Sequence, residues 1–382
     1  MKSDTGLPTC DVVIPARNAE PFLADAIQSI LCQSHAASQI LVVDDRSTDG
    51  TARVAAAFGR RVQILQGEGK GAGIARNLGA LHCRSQLLAF LDADDVCHPE
   101  RLKLQAEVMH NEPQAGMAFC DAEYVDASGQ RTGALFTFPD YRKEALLGQL
   151  FERNRILTTS VTVVRRAAFN AVGGFDEHLL HAEDYDLWLR FAQLCGVEHL
   201  ARPLVYYRIH DSNTSGNLEA FRLWEAETLR KYAVRDIRAA LLATYGEASK
   251  ADLALSRVLF RMERYEEGES LLLGVNGEGA DRALRHFMLG TFAIKRNDRD
   301  AAIEQYLLCL QCESGFAPAR NNLGVIAAVE GHYARALEHF TRAMELRPGY
   351  ADPERNIDAL HHRRPQDLRY TLAPLRAVLR PR

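Results

Sequence analysis

LLAFLDADDVCHPERL, residues 87–102, is an apolar run that ends on three acids within four positions, Asp92, Asp94 and Asp95. A short apolar run of this kind reads as a buried strand. A strand that only had to stop would not need three carboxylates. The D-x-D pair presents oxygen ligands to a hard divalent cation, Mg²⁺ or Mn²⁺. So few protein ligands suggest a cation that completes its shell with substrate phosphates, as on a nucleotide diphosphate. The competing reading is an acidic helix cap before HPERL. Asp95 suits that role, and Asp92 and Asp94 would then be surplus.

Three earlier runs read as strands: CDVVIPA (10–16), QILVVDD (39–45) and VQIL (62–65). Between them, PFLADAIQSILCQ (21–33) has apolar residues at helical spacing, and STDGTARVAAAF opens with helix-start chemistry at Ser47 or Asp49. A further helix is expected from about Ile74 to Cys83. This alternation predicts an α/β fold with a mostly parallel sheet covered by helices. Ligands of such sheets sit beyond the carboxyl ends of the strands. Pro15 to Asn18, the Asp44–Asp45 pair and the acids at 92–95 all fall there.

GEGKGAGIARNLG (67–79) imitates a dinucleotide fingerprint. That fingerprint belongs on the first strand, where this chain carries IPARN instead. A P-loop is excluded too, because Gly71 follows Lys70 where Ser or Thr is required. The stretch is read as a flexible loop feeding Arg76 and Asn77 toward a phosphate-bearing ligand.

From about 115 to 215 the pattern loosens. GMAFCDAEYVDASGQRTGALF reads as strand, turn at Ser128–Gly129, and strand; SVTVVRR is another strand. AEDYDLWLRFAQLC (182–195) is an amphipathic helix with Glu183 and Asp184 at its start, where the helix dipole alone would favour acids. PLVYYRIHDSNTS (203–215) is a strand running into a loop that carries His210. A helical segment spans about 218–245.

Beyond residue 248 a period of 34 appears: RYEEGESLL (264–272), DRDAAIEQY (298–306) and HYARALEHF (332–340) fall in register. Gly268, Ala302 and Ala336 share one position, and Leu272, Tyr306 and Phe340 another. Small residues at fixed points let paired helices approach closely. The pattern resembles the tetratricopeptide repeat, with units near 249–282, 283–316 and 317–350. The tail RRPQDLRYTLAPLRAVLRPR places Leu368, Leu372, Leu375 and Leu379 on one helical face. A capping helix on the repeats is the favoured reading. Peripheral contact with an anionic membrane surface is the sharper one, and Pro374 counts against a straight helix.

A chain of 382 residues exceeds one ordinary core, so at least two domains are expected. A net charge of −4 gives no general affinity for nucleic acid. MKSDTGLPTC lacks the apolar core of a secretory signal, and no apolar stretch approaches the roughly 18 residues that cross a bilayer. Eight scattered cysteines without a disulfide framework fit a reducing cytoplasm. The CxxC of Cys309 and Cys312 lies inside a helical pattern and is read as packing. The expected organisation is a domain at 1–215, a helical linker at 216–248, repeats at 249–362 and a basic tail at 363–382.

VVIPARNAEPFLADAIQSILCQS, ILVVDDRSTDGT, ARNLGA, LAFLDADDVCHPERL, GGFDEHLLHAEDYDLWLR and YYRIHDSNTS together resemble the successive motifs of family 2 glycosyltransferases of the GT-A fold. The resemblance covers about residues 10–215. It implies inverting transfer of a sugar from a nucleotide donor, usually UDP-linked, with Mg²⁺ or Mn²⁺. By motif position it places Pro15 and Arg17 in the base pocket, Asp45 on a uracil-type base and Arg76 over the donor. Asp92 and Asp94 would form the D-x-D. Metal would sit on Asp94, with Asp95 and with His210 near the diphosphate. Asp184 would be the general base and Glu183 would lie on the acceptor side. Two positions depart from the family pattern: Arg17 stands where an aromatic residue is common, and DDRS replaces Asp-Asp-Gly-Ser. Both flank the base pocket.

The acceptor is expected to be a glycan, or a peptide or protein recruited by the repeats; the repeats would otherwise self-associate, for example as a homodimer. Two other classes compete. A sugar nucleotidyltransferase would want a Gly-rich loop and lysine after the first strand, which IPARNAEP lacks. A non-catalytic repeat scaffold with an inactive transferase domain is opposed by the intact Asp92, Asp94 and Asp184.

Overall fold

A computed structural model describes residues 6–138, 140–211, 218–275 and 278–373. The chain divides into two compact units between Tyr232 and Ala233.

The first unit holds strands β1 (Cys10–Ala16), β2 (Gln39–Asp44), β3 (Gln63–Gln66), β4 (Leu87–Phe90), β5 (Val96–Cys97), β6 (Ala115–Val125), β7 (Arg131–Phe136), β8 (Thr162–Arg165) and β9 (Gly196–Arg208). Its helices are α1 (Leu23–Leu31), α2 (Thr51–Ala56), α3 (Ala72–His82), α4 (Arg101–Asn111), α5 (Leu146–Glu152), α6 (Arg166–Ala171), α7 (Glu183–Leu194) and α8 (Leu218–Arg230). The strands form one sheet in the order β3-β2-β1-β4-β8-β6-β9-β5, with β7 paired to β6.

The strands β1 to β4 are parallel, as their alternation with helices predicts. The rest of the sheet is mixed. β8 runs antiparallel to β4 and β6, β9 runs parallel to β6, and β5 antiparallel to β9. The β6–β7 pair is antiparallel because a short turn joins the two strands. β1 is buried at every position, which fits a central strand covered on both faces. Val12, Ile14, Leu23, Ile27, Val42, Leu87 and Met109 belong to the core beneath α1 and α4. The edges of the central strands continue past their ends, with the Asp45 amide on the Ala16 carbonyl and the Leu91 amide on that of Val13. That lacing holds the loops after β1, β2 and β4 side by side.

The second unit is all helical: α9 (Val234–Tyr245), α10 (Ala248–Arg261), α11 (Tyr265–Leu273), α12 (Gly279–Lys295), α13 (Arg299–Cys312), α14 (Ala317–Val329), α15 (Tyr333–Leu346) and α16 (Ala351–His361). The helical segment foreseen at 218–245 is therefore broken, with the break lying between Arg230 and Val234. Helices α10 to α15 form three pairs. Each pair turns through a left-handed residue, Glu263, Asn297 or Gly331, with φ of 60°, 60° and 82°. The aligned small residues do what their spacing implies: Ala302 and Ala336 are fully buried, and a Cβ on Gly268 would meet the Phe292 ring at 2.5 Å. Gly290 and Gly324, also one repeat apart, pack as closely. A Cβ on Gly290 would meet the Tyr306 ring at 2.6 Å, and one on Gly324 the Phe340 ring at 2.6 Å. Cys309 is buried within α13, and all eight cysteines are free.

The tail does not continue as a helix through Leu372. After α16 the chain makes a short 3-10 turn, Pro365–Asp367, and residues 368–373 are not helical. Leu375 and Leu379 lie outside the described residues. The reason for the difference is that peptide groups at 369 and 371 bond to asparagine side chains instead of to each other. Among the described residues no helix is long and apolar enough to cross a membrane.

Candidate active site

Three loops at the carboxyl ends of β1, β2 and β4 meet the start of α7 and the end of β9. The first two are tied together by side chains. Asn18 accepts from the Thr48 amide, Thr51 accepts from the Ala19 amide, and Glu20 accepts from the Gly50 amide. Pro15 is buried in β1, and Arg17 is exposed just beyond it. Asn18 at φ 50° and Arg46 at φ 59° both adopt the left-handed region. The departure from Asp-Asp-Gly-Ser therefore puts an arginine where glycine is the unstrained residue.

Asp45 is buried, and its carboxylate organises the glycine-rich loop. Oδ1 accepts from the Gly69 amide at 2.6 Å and Oδ2 from the Gly71 amide at 3.0 Å. Gly71, at φ 114°, needs the absence of a side chain, and a Cβ on Gly67 would lie 2.6 Å from Asp45 Oδ1. The glycines thus serve the approach of this loop to Asp45. The loop is docked on a carboxylate, not free.

Arg76 is the hub of the site. Its guanidinium is buried and donates to Asp92 Oδ1 at 2.6 Å and Glu183 Oε1 at 2.9 Å, above the Phe175 ring. Its Nε is buried without a partner. Asn77, expected to turn toward a ligand, instead clamps the chain. It donates to the Phe175 carbonyl and accepts from the Phe175 amide, because those two peptide groups lie opposite its amide ends. This fixes the loop that leads into α7.

Asp92 is held on all sides. Besides Arg76 it accepts from the hydroxyls of Thr158 at 2.7 Å and Thr159 at 3.1 Å, and its amide donates to Ser160. Burial works against its charge, but Arg76 and the hydroxyls hold its carboxyl below the usual range. Asp94 is different: its Oδ2 lies 2.9 Å from His210 Nε2, and its side chain keeps 28% exposure. Burial, then the Asp92 charge, push its carboxyl up against the pull of His210. The His210 ring stacks on Phe22 with centroids 4.6 Å apart.

Asp95 is not a helix cap. It lies six positions before the first residue of α4, and Glu100 occupies the N-cap. Its Oδ1 accepts from the Arg208 amide at 3.1 Å, while Oδ2 is buried without a partner. Burial, then the neighbouring Asp94 and Asp92, raise its carboxyl well above the ordinary value.

Glu183 and Asp184 open α7, directly after Ala182 in a left-handed conformation at φ 58°. Such a residue costs on the order of 1 kcal/mol, so the turn is held by its surroundings. Glu183 is tied to Arg76. Asp184 keeps partial exposure, and burial together with the Glu183 charge raises its carboxyl to about 7.

The sequence reading missed several members. Thr158, Thr159 and Ser160 cradle Asp92 from a segment that carries no recognisable motif. Arg208 reaches the Asp94 carbonyl, the Ala127 carbonyl and Asp25, beside the Phe22 ring. It sits two residues before His210, and its alternation along β9 was the available clue.

No group of three or more His, Cys, Asp or Glu side chains among the described residues is arranged to hold a metal ion. The fit to a divalent cation rests on fewer groups. Asp94 and His210 offer an oxygen and a nitrogen donor side by side, partly open to solvent, next to the unpartnered oxygen of Asp95. A cation there would need ligand oxygens, as a diphosphate supplies.

Residues 11–173 match the family described as "Glycosyl transferase family 2", and residues 317–350 match "Tetratricopeptide repeat". An uncharacterized glycosyltransferase of Rickettsia typhi is 30% identical over 234 residues, covering 60% of this chain and 72% of that protein. Chondroitin synthase of Escherichia coli is 26% identical over 212 residues, 55% of this chain and 30% of that protein. Residues 1–349 of S. aureus TarS, solved in complex with UDP-GlcNAc, superimpose with a TM-score of 0.50 at 18% identity, over 93% of this chain and 92% of that one. The fold, a mixed sheet followed by helical repeats, is the one that structure shares. The chain belongs to glycosyl transferase family 2, followed by tetratricopeptide repeats.

Proposed function

We propose that the protein transfers a sugar from a nucleotide diphosphate donor to an acceptor hydroxyl with inversion at the anomeric carbon. The observation that carries the reading is the joined set of charges beyond the strand ends: Arg76 bridges Asp92 and Glu183, Asp94 meets His210, and Asp184 follows Glu183 at the start of α7, while Asp45 orders the glycine-rich loop that leads to Arg76. The donor base docks beside Pro15, Arg17 and Asp45, with UDP the favoured nucleotide. Asp45 already accepts two loop amides, so base binding and loop closure share one carboxylate.

Asp184 takes the proton from the acceptor hydroxyl. The freed oxygen pair attacks the anomeric carbon from the face opposite the diphosphate, and the departing bond's electrons stay on the diphosphate. A base with a pKa near 7 accepts a proton at neutral pH, a contribution of roughly 10²–10⁴-fold. Arg76 orients both ends of the site through Asp92 and Glu183. Mg²⁺ or Mn²⁺, when bound at Asp94 and His210, would stabilise charge developing on the diphosphate. Glu183 lies on the acceptor side as the partner that fixes α7.

The acceptor is a glycan or a polypeptide, the repeats favouring the second. The test is hydrolysis of a panel of nucleotide sugars, with and without Mn²⁺. Turnover of one donor supports the reading. No turnover of any donor, with no nucleotide binding by calorimetry, supports a scaffold instead.

A further inference from the structure

Two asparagines one repeat length apart, Asn322 on α14 and Asn356 on α16, each grip one residue of the chain beyond α16 by both of its peptide groups. Asn322 accepts from the Thr371 amide at 2.7 Å and donates to the Thr371 carbonyl at 2.9 Å. Asn356 accepts from the Arg369 amide at 2.6 Å and donates to the Arg369 carbonyl at 2.9 Å. Asn321 adds bonds to the Arg369 carbonyl and the Thr371 hydroxyl, both at 3.1 Å. All three asparagines are fully buried.

The spacing gives this arrangement its meaning. From Asn322 to Asn356 the helices advance one repeat, and the gripped chain steps back two residues, from Thr371 to Arg369, so it runs opposite to the repeats. Two is the repeat of an extended chain, whose alternate peptide groups face one side. The bonds go to backbone groups, so they would serve any extended polypeptide. Selectivity comes from the side chains between them. Leu368 and Tyr370 pack on the cluster of Val325, Ala328 and Phe340. The Thr371 hydroxyl donates to Asp352 Oδ2 at 2.7 Å and meets the Tyr350 hydroxyl. Capping the last repeat does not require any of this, because α16 already packs on α14 and α15.

We propose that residues 368–373 are a displaceable strap that occludes in cis the peptide-binding face of the repeats, so that this chain holds its own repeat unit closed. The occupant from outside would be a segment of another protein offering the same chemistry: apolar or aromatic residues leading into a threonine or serine. Such a segment binds only as the cis strap leaves, so the strap sets a threshold on recruitment. The site rests on the repeat unit alone and stands or falls separately from the transferase reading.

The test uses the full chain and a fluorescein-labelled peptide of residues 366–373, QDLRYTLA. Thr371→Pro removes the amide that Asn322 accepts and the hydroxyl that Asp352 accepts, and should release the strap. The peptide should bind this variant at least tenfold more tightly than wild type, and adding Asn322→Ala should abolish the gain. A labelled peptide with valine in place of threonine should bind more weakly. Failure of the peptide to bind a folded Thr371→Pro chain overturns the proposal, as does equal binding to the double variant. Loss of helical circular dichroism in Thr371→Pro also overturns it, since the strap would then be part of the fold. In wild type, amide exchange at Arg369 and Thr371 should run well ahead of α14; exchange in step with α14 would contradict a displaceable strap.

Discussion

Arg76 on α3 and Asp92 just after β4 meet at 2.6 Å through a guanidinium that is almost fully buried. The same guanidinium reaches Glu183, so the end of β4 and the start of α7 share one cation. Removing it leaves two carboxylates facing each other in a poorly solvated place. Arg76→Met should cost about 3–5 kcal/mol in urea denaturation, the range for breaking a buried pair from one side. A loss below about 1 kcal/mol would show that the bridge is not a support.

As the proposed base, Asp184 would set the pH dependence of transfer. Its carboxyl titrates near 7, and only the ionised form accepts a proton. Activity on a neutral acceptor should therefore rise with pH through about 7. The effect on stability has the opposite sign. The folded pKa lies above the ordinary carboxyl value of 3.8, so the folded state binds more protons between the two. The contribution of this group to stability falls as pH rises through that window and is level above 7. Asp184→Asn should flatten both profiles, measured by initial rates and by thermal melts across pH.

Asp94 and His210 make a separable prediction. Asp94→Ala should abolish Mn²⁺-dependent binding of UDP, and His210→Ala should weaken it by a smaller factor, both read by calorimetry. Unchanged affinity in Asp94→Ala would remove it from the site.

In the repeats, Gly324→Ala drives a methyl into the Phe340 ring. The expected cost is about 1–3 kcal/mol, as for other overpacked contacts. Gly331→Ala, at the turn, meets no atom within 4 Å and is strained only by its φ of 82°. Chemical denaturation of both variants separates packing from backbone strain.

Much of this was legible in the chain. The alternation of apolar runs located β1 to β4, because parallel strands buried on both faces leave an unbroken apolar signal. The period of 34 located the paired helices, because each pair repeats one packing problem. The two-residue β5 is too short to have a period. The mixed half of the sheet depends on pairing partners far apart in sequence, such as β6 with β9. In the site, acids at strand ends announced themselves by charge. Their neighbours Thr158, Thr159 and Ser160 did not, since a hydroxyl in a loop has no distinctive pattern. The tail leucines fitted a helical spacing, but Asn322 and Asn356 offered its peptide groups better partners.

The central claim is that Asp184 is the base and is not needed to hold the donor. The direct measurement is donor affinity by calorimetry alongside sugar transfer by the same Asp184→Asn preparation. The account predicts affinity within a few-fold of wild type and transfer reduced by roughly 10²–10⁴-fold. Transfer at the wild-type rate with intact binding would contradict it.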